Sequence, residues 1–228
     1  MPKLLRFLQL SLGAIVLSTA VSACGTSAQL PTSSVDSKAS TPRPSGMMDH
    51  SKMNPGMMNH SIDLGPADAD YDLRFIDAMV PHHEGAVVMA QDALKKSTRP
   101  ELKQLATAIV SAQDKEMIQM QQWRKDWYPK SLNTPMAWNA EMNHMMAMKP
   151  EQMGAMRMNM DLGKADSDYD LRFINAMVPH HESAVTMAKD LAQKTKRPEL
   201  QKFAKEVISS QQAEIDQMNQ WRKTWYGK

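Results

Sequence analysis

The chain has 228 residues, 42% of them hydrophobic and 23% charged, with 27 basic and 25 acidic side chains. Setting aside Lys3 and Arg6 leaves 25 of each sign, so the remainder is neutral and lacks the basic footprint of a nucleic-acid binder. Cys24 is the single cysteine, which excludes an intrachain disulfide, a CxxC redox pair and a Cys-rich zinc site.

Residues 1–23 read as a secretory signal: Lys3 and Arg6 precede an apolar run too short and weakly flanked for a spanning helix. The run closes on Val21-Ser22-Ala23-Cys24, which resembles a bacterial lipobox and implies a lipid anchor on Cys24. That expectation places the mature protein outside the cytoplasm, in the periplasm or cell envelope, with membrane contact only through the lipid. Residues 24–62 are rich in Ser, Thr and Pro and carry too few aliphatic side chains to offset the entropy of ordering, so they read as a flexible arm.

A repeat organises the rest, residues 63–228. The run DLRFIDAMVPHHE at Asp72 recurs as DLRFINAMVPHHE at Asp170, and the same offset holds without a gap between residues 63–128 and 161–226, at about 60% identity. In the first copy Leu73, Ile76, Val80, His83, Val87, Ala90 and Leu94 recur at helical spacing, predicting a helix from about Ala67 to Lys96 with a kink at Pro81. Pro100 suits a first helical position, and a second stripe follows: Leu102, Leu105, Ile109, Glu116, Met120, Trp123 and Trp127. The short turn makes each pair an antiparallel hairpin. Two hairpins bury their apolar faces best against each other, giving an all-α, four-helix bundle. Residues 129–160 form a long Met-rich crossover between hairpins, without a clear periodicity of their own.

Methionine placement carries the functional argument. Of 22 methionines, 14 fall in residues 47–58 and 136–160, which contain no Leu, Ile, Val or Phe. A core-filling role predicts methionines mixed among aliphatic residues, whereas a thioether-ligand role predicts this segregation. All seven histidines lie within four residues of a methionine. Soft thioethers favour Cu(I) and Ag(I), and imidazole also accepts Cu(II), so the mixture points first to copper. Candidate ligands in the arm are Met48, His50, Met53, Met57, Met58 and His60, and in the crossover Met142, His144, Met145 and Met148. Both segments are expected to order only on metal loading. On the first helix, His83 sits on the apolar stripe as either a ligand or a core histidine bonded to Glu116. His82 is expected on a flank in line with Met79 and Met89, giving one metal site per repeat. Met120 completes the first set, and the second copy repeats it as Met177, His180, His181, Met187, Glu214 and Met218. Glu141 and His144 have the E-x-x-H spacing of di-iron bundles, but one copy cannot build such a site.

The DLRFIDAMVPHHE motif resembles the signature of a bacterial family called domain of unknown function 305, and the likeness runs through both repeats. Its members adopt a ferritin-like helical bundle in the cell envelope, which is the fold the resemblance implies. The arm's Met-Met-Asp-His-Ser-Lys-Met is similar to Met/His repeats of bacterial copper-resistance proteins. Together these imply periplasmic copper or silver binding in resistance or export, handing metal to a copper efflux or carrier protein. A non-enzymatic binder is therefore expected; the alternatives are an envelope metal-dependent oxidoreductase and a structural lipoprotein without metal.

Overall fold

A computed structural model describes residues 62–227. The signal, Cys24 and the arm's candidate ligands, Met48, His50, Met53, Met57, Met58 and His60, lie outside the described residues. Among the described residues no helix is long and apolar enough to cross a membrane.

The elements run α1 (Tyr71–Lys96), α2 (Pro100–Trp127), β1 (Met136–Asn139), β2 (His144–Ala147), α3 (Pro150–Arg157), α4 (Tyr169–Lys194) and α5 (Pro198–Tyr226). α1 begins at Tyr71, not Ala67, because the Asp68 carboxylate accepts the Asp70 N–H at 3.0 Å and holds that segment in a turn. Asp166 and Asp168 repeat the device ahead of α4. Each helical hairpin turns on a hydroxyl and a proline: Ser97 Oγ accepts the Arg99 N–H at 3.1 Å before Pro100, and Thr195 accepts that of Arg197 before Pro198. Both long inner helices run on past their prolines, Pro81 and Pro179.

Two apolar clusters lie on either side of the histidine pairs. One joins Phe75, Ile76 and Met79 of α1 with Met120, Met187, Leu191, Phe203 and Val207. The other joins Met89, Ala90 and Ala93 of α1 with Leu105, Ile109, Phe173, Met177 and Met218. The carboxy-terminal half of α1 thus meets the amino-terminal half of α4, so the two inner helices are antiparallel, with α2 outside α1 and α5 outside α4. Paired contacts stitch the repeats together. Tyr71 OH donates to Asp190 at 2.6 Å and Tyr169 OH to Asp92 at 2.8 Å. Arg197 stacks over Trp127 at 4.1 Å and Arg99 over Trp225 at 4.2 Å. The terminal tryptophans Trp127 and Trp225 therefore hold the partner hairpin's turn by cation–π contact.

The crossover is folded by packing, contrary to the expectation that metal would be needed to order it. β1 and β2 pair antiparallel with Met136 opposite Ala147, and the hairpin docks on α1, where the Met136 N–H donates to Asp77 at 2.8 Å. Trp138 lies against Gly65 and under Arg74, 5.1 Å away, while Ala137, Met148, Met153 and Met156 join an apolar cluster. Aromatic and thioether surface substitutes for the missing aliphatic side chains. The tightest approach is at Gly85, where a Cβ would stand 1.7 Å from the Arg157 carbonyl oxygen at the end of α3. Gly85→Ala should therefore push α3 off α1 and cost about 1–3 kcal/mol, as overpacking does. A lowered denaturation midpoint with faster amide exchange across α3 is the expected result; unchanged exchange there would show that α3 is not seated on this glycine.

Candidate metal centre

The centre is a polar layer between the two apolar clusters. Consecutive residues on a helix point about 100° apart, so each His-His pair aims one ring outward to its hairpin partner and one inward to the other repeat. The outward pair behaves as one of the two expected roles. His83 Nε2 lies 2.7 Å from Glu116 Oε2, and His181 Nε2 lies 2.6 Å from Glu214 Oε2.

The inward pair is where the sequence expectation is corrected. His82 and His180 do not lie on helix flanks: both are fully buried, with ring centroids 3.8 Å apart and planes tilted by 44°. The face that a lone hairpin leaves at its flank is covered here by packing of α1 on α4. The two copies thus contribute to one shared layer. Met79 belongs to the apolar cluster on one side of it, which also holds Met120 and Met187, and Met89 to the cluster on the other side, with Met177 and Met218. Each methionine trio is fully or almost fully buried and mixes both repeats. In the crossover Met148 is buried and Met145 half-buried, whereas Met142 and His144 are exposed. Met148 lies in the apolar cluster that also holds Met79, Met120 and Met187.

Hydrogen bonding specifies the chemistry of the rings. In a neutral ring, donation from His83 Nε2 to Glu116 and from His181 Nε2 to Glu214 leaves Nδ1 as a bare lone pair. His180 Nε2 donates to the Arg157 carbonyl at 3.1 Å, with the same consequence for its Nδ1. Among the described residues His82 has no partner on either nitrogen, and in all five ring nitrogens of the layer are buried without one. Orientation of an imidazole through a carboxylate or carbonyl on its far nitrogen is the pattern of metal-binding histidines. Leaving such groups unpaired costs about 1–3 kcal/mol each, so the layer is expensive for a protein that uses it only for packing. Burial, followed by the neighbouring histidines, holds His82 well below its ordinary pKa, and burial brings His180 down to about 3. Both rings are therefore neutral and able to donate lone pairs at physiological pH.

Gln113 and Gln211, on the same helices as Glu116 and Glu214, are each 3% exposed with an unpartnered Oε1. Sequence reasoning passed over them, although each lies one turn before the buried-stripe glutamate and is repeated in both copies. The Arg157 carbonyl was beyond reach, since it comes from the crossover's backbone. Among the described residues no three His, Cys, Asp or Glu side chains already form a cage. The unpartnered imidazole nitrogens of the layer are donors of a kind that copper ions accept.

The family model described as domain of unknown function (DUF305) matches residues 23–124 and 72–222. Among solved structures, CopM in the Cu(II)-bound form is 39% identical, with a TM-score of 0.55, covering 68% of this chain and 97% of that one. CopM in the Ag-bound form obtained by soaking is 36% identical, with a TM-score of 0.54 and the same coverage. A DUF305 fragment from Deinococcus radiodurans is 26% identical, with a TM-score of 0.50, over 68% of this chain and 96% of that one. The uncharacterized protein L153 of Acanthamoeba polyphaga mimivirus is 44% identical over 50 residues, which span 22% of this chain and 33% of that protein. With the family model matched across both repeats and the helical bundle common to these structures, the chain belongs to the DUF305 family.

Proposed function

We propose that this protein binds Cu(I), and Ag(I) as its analogue, outside the cytoplasm, and sequesters or carries the ion without turning over a substrate. The observation that carries the proposal is the facing pair His82 and His180, whose rings are buried, neutral and in part unpartnered at the junction of the two repeats. Likeness to CopM, solved in Cu(I), Cu(II) and Ag forms, supports the choice of ion. His83 and His181, oriented by Glu116 and Glu214, stand next to this pair as further imidazole donors. The buried methionine trios offer soft donors above and below the layer. Retention in the periplasm through Cys24, and delivery to an envelope efflux or carrier protein, complete the proposal.

Anaerobic titration of the mature chain with Cu(I) against a chromophoric competitor tests it, with Zn(II) run in parallel. Cu(I) and Ag(I) should bind far more tightly than Zn(II), because the layer has few carboxylates and no thiolate while thioethers surround it. Equal or tighter zinc binding at neutral pH removes the proposal, and steady oxygen consumption by the copper-loaded protein would replace a carrier with an oxidase.

A further inference from the structure

The crossover reaches the metal centre through one backbone atom. The Arg157 carbonyl oxygen, at the end of α3, accepts from His180 Nε2 at 3.1 Å, and a Cβ placed on Gly85 would stand 1.7 Å from the same oxygen. Seating of α3 on Gly85 and contact with His180 are therefore one event. The rest of the helix is lightly held. None of its eight residues is buried, and Met153 and Met156 are half-buried against an apolar cluster. The Arg157–Glu84 ion pair, at 2.8 Å, leaves its side chains 46% and 39% exposed, and a pair so open to water contributes little. Segments with so few buried contacts open at much less than the free energy of global unfolding.

The repeat supplies an internal comparison. Ser183 on α4 matches Gly85, and its Cβ rules out so close an approach by a backbone. His82 matches His180, and neither of its nitrogens has a partner among the described residues. Of the two inward rings, the crossover orients one. A carbonyl oxygen can only accept, so a seated α3 keeps the single proton of neutral His180 on Nε2 and leaves the buried Nδ1 as the lone pair able to take a cation. An acceptor on the far nitrogen makes an imidazole more basic toward metal, and bound metal makes that N–H a stronger donor.

We propose that the carboxy-terminal carbonyl of α3 is a positioning group of the metal centre, and that α3 seating and soft-cation binding strengthen each other. The coupling is reciprocal by thermodynamic necessity: whatever factor separates the affinities of the seated and lifted forms, the bound cation shifts the seating equilibrium by that factor. Lifting α3 from outside thus loosens an ion held inside the bundle. The proposal deepens the copper and silver reading and rests on it.

Amide exchange of α3 in the full mature chain, with and without saturating Ag(I), tests the coupling. Exchange in residues 153–157 should slow several-fold on loading. Arg157→Gln keeps the carbonyl but removes the ion pair with Glu84. Loss of a positive charge near the centre by itself favours Ag(I), so a several-fold weaker affinity in this variant reads looser seating. Gly85→Ala should weaken Ag(I) binding further and move the ring-nitrogen NMR shifts of metal-free His180 from the Nε2–H tautomer toward a mixture, whereas Ser183→Ala should change neither. Unaltered exchange in α2 and α5 shows that the bundle itself is intact. If Ag(I) binds but α3 exchanges equally in both states, or Arg157→Gln binds Ag(I) as tightly as wild type or more so, the coupling is wrong while metal binding stands. If Ag(I) fails to bind the wild-type chain, both readings fall.

Discussion

Replacing His82 and His180 together by leucine should raise the stability of the metal-free protein while abolishing the stabilisation that Ag(I) confers. Both rings are fully buried, and among the described residues His82 bonds to nothing and His180 makes one hydrogen bond, to the Arg157 carbonyl. Leucine is close in volume and lacks the unpaired groups, each of which costs about 1–3 kcal/mol when buried. Loss of the His180 bond offsets part of the gain, so the metal-free variant should be more stable by roughly 1–4 kcal/mol. In contrast, a ligand at a hundredfold excess over its Kd stabilises the native protein by about 2.7 kcal/mol, and that increment should vanish in the variant. His83→Leu gives the opposite result without metal, because it leaves Glu116 facing an apolar side chain and should cost about 1–3 kcal/mol. Urea denaturation of the three proteins with and without Ag(I) separates these cases. Should the double leucine variant lose stability and still respond to Ag(I), the pair serves packing and the metal lies elsewhere.

The helices and their pairing could be read from the sequence because periodicity, prolines and the repeat all point to one arrangement. Glu116 as the partner of His83 followed from the same stripe. His82 could not be placed, since its exposure depends on how α1 packs against α4, a contact between residues far apart in sequence. A one-hairpin view puts it on a flank, whereas the bundle puts it at the centre beside its own copy. Met79 and Met89 illustrate the limit in another way. They lie in line on one helix, but the histidine layer falls between them and assigns them to different clusters. In the crossover, the absence of Leu, Ile, Val and Phe suggested disorder, yet Trp138 packs under Arg74 of α1, and Met148, Met153 and Met156 join the apolar cluster beside it. Composition alone understates what one tryptophan and flexible thioethers can bury.

Mild acid should unfold the metal-free protein well before its carboxylates titrate, and the double leucine variant should resist. His180 has a folded pKa of about 3 against an ordinary 6.5, with burial as the main cause, and His82 is lowered for the same reason. Neutral imidazole is the form the fold accepts, so protons bind the unfolded chain first as pH falls. The stability tied to these rings is thus fully present above about pH 6.5 and is lost progressively toward pH 3. His180 contributes a slope that rises to about 1.4 kcal/mol per pH unit within that window, and His82 acts in the same sense. Between pH 6.5 and 5 His180 accounts for a loss of about 1.6 kcal/mol, a noticeable share of a typical domain's stability, and His82 adds to it in the same direction. His83 and His181 face Glu116 and Glu214 in both proteins, and the remaining carboxylates are common to both. The difference in slope between wild type and variant therefore isolates the inward rings. Ag(I) occupies the lone pairs that protons would take and should move the wild-type transition to lower pH while leaving that of the variant unmoved. Parallel slopes for the two proteins from pH 6.5 to 5 would mean that the rings are reached by water and already charged in the fold, which is incompatible with a buried pair poised for a soft cation.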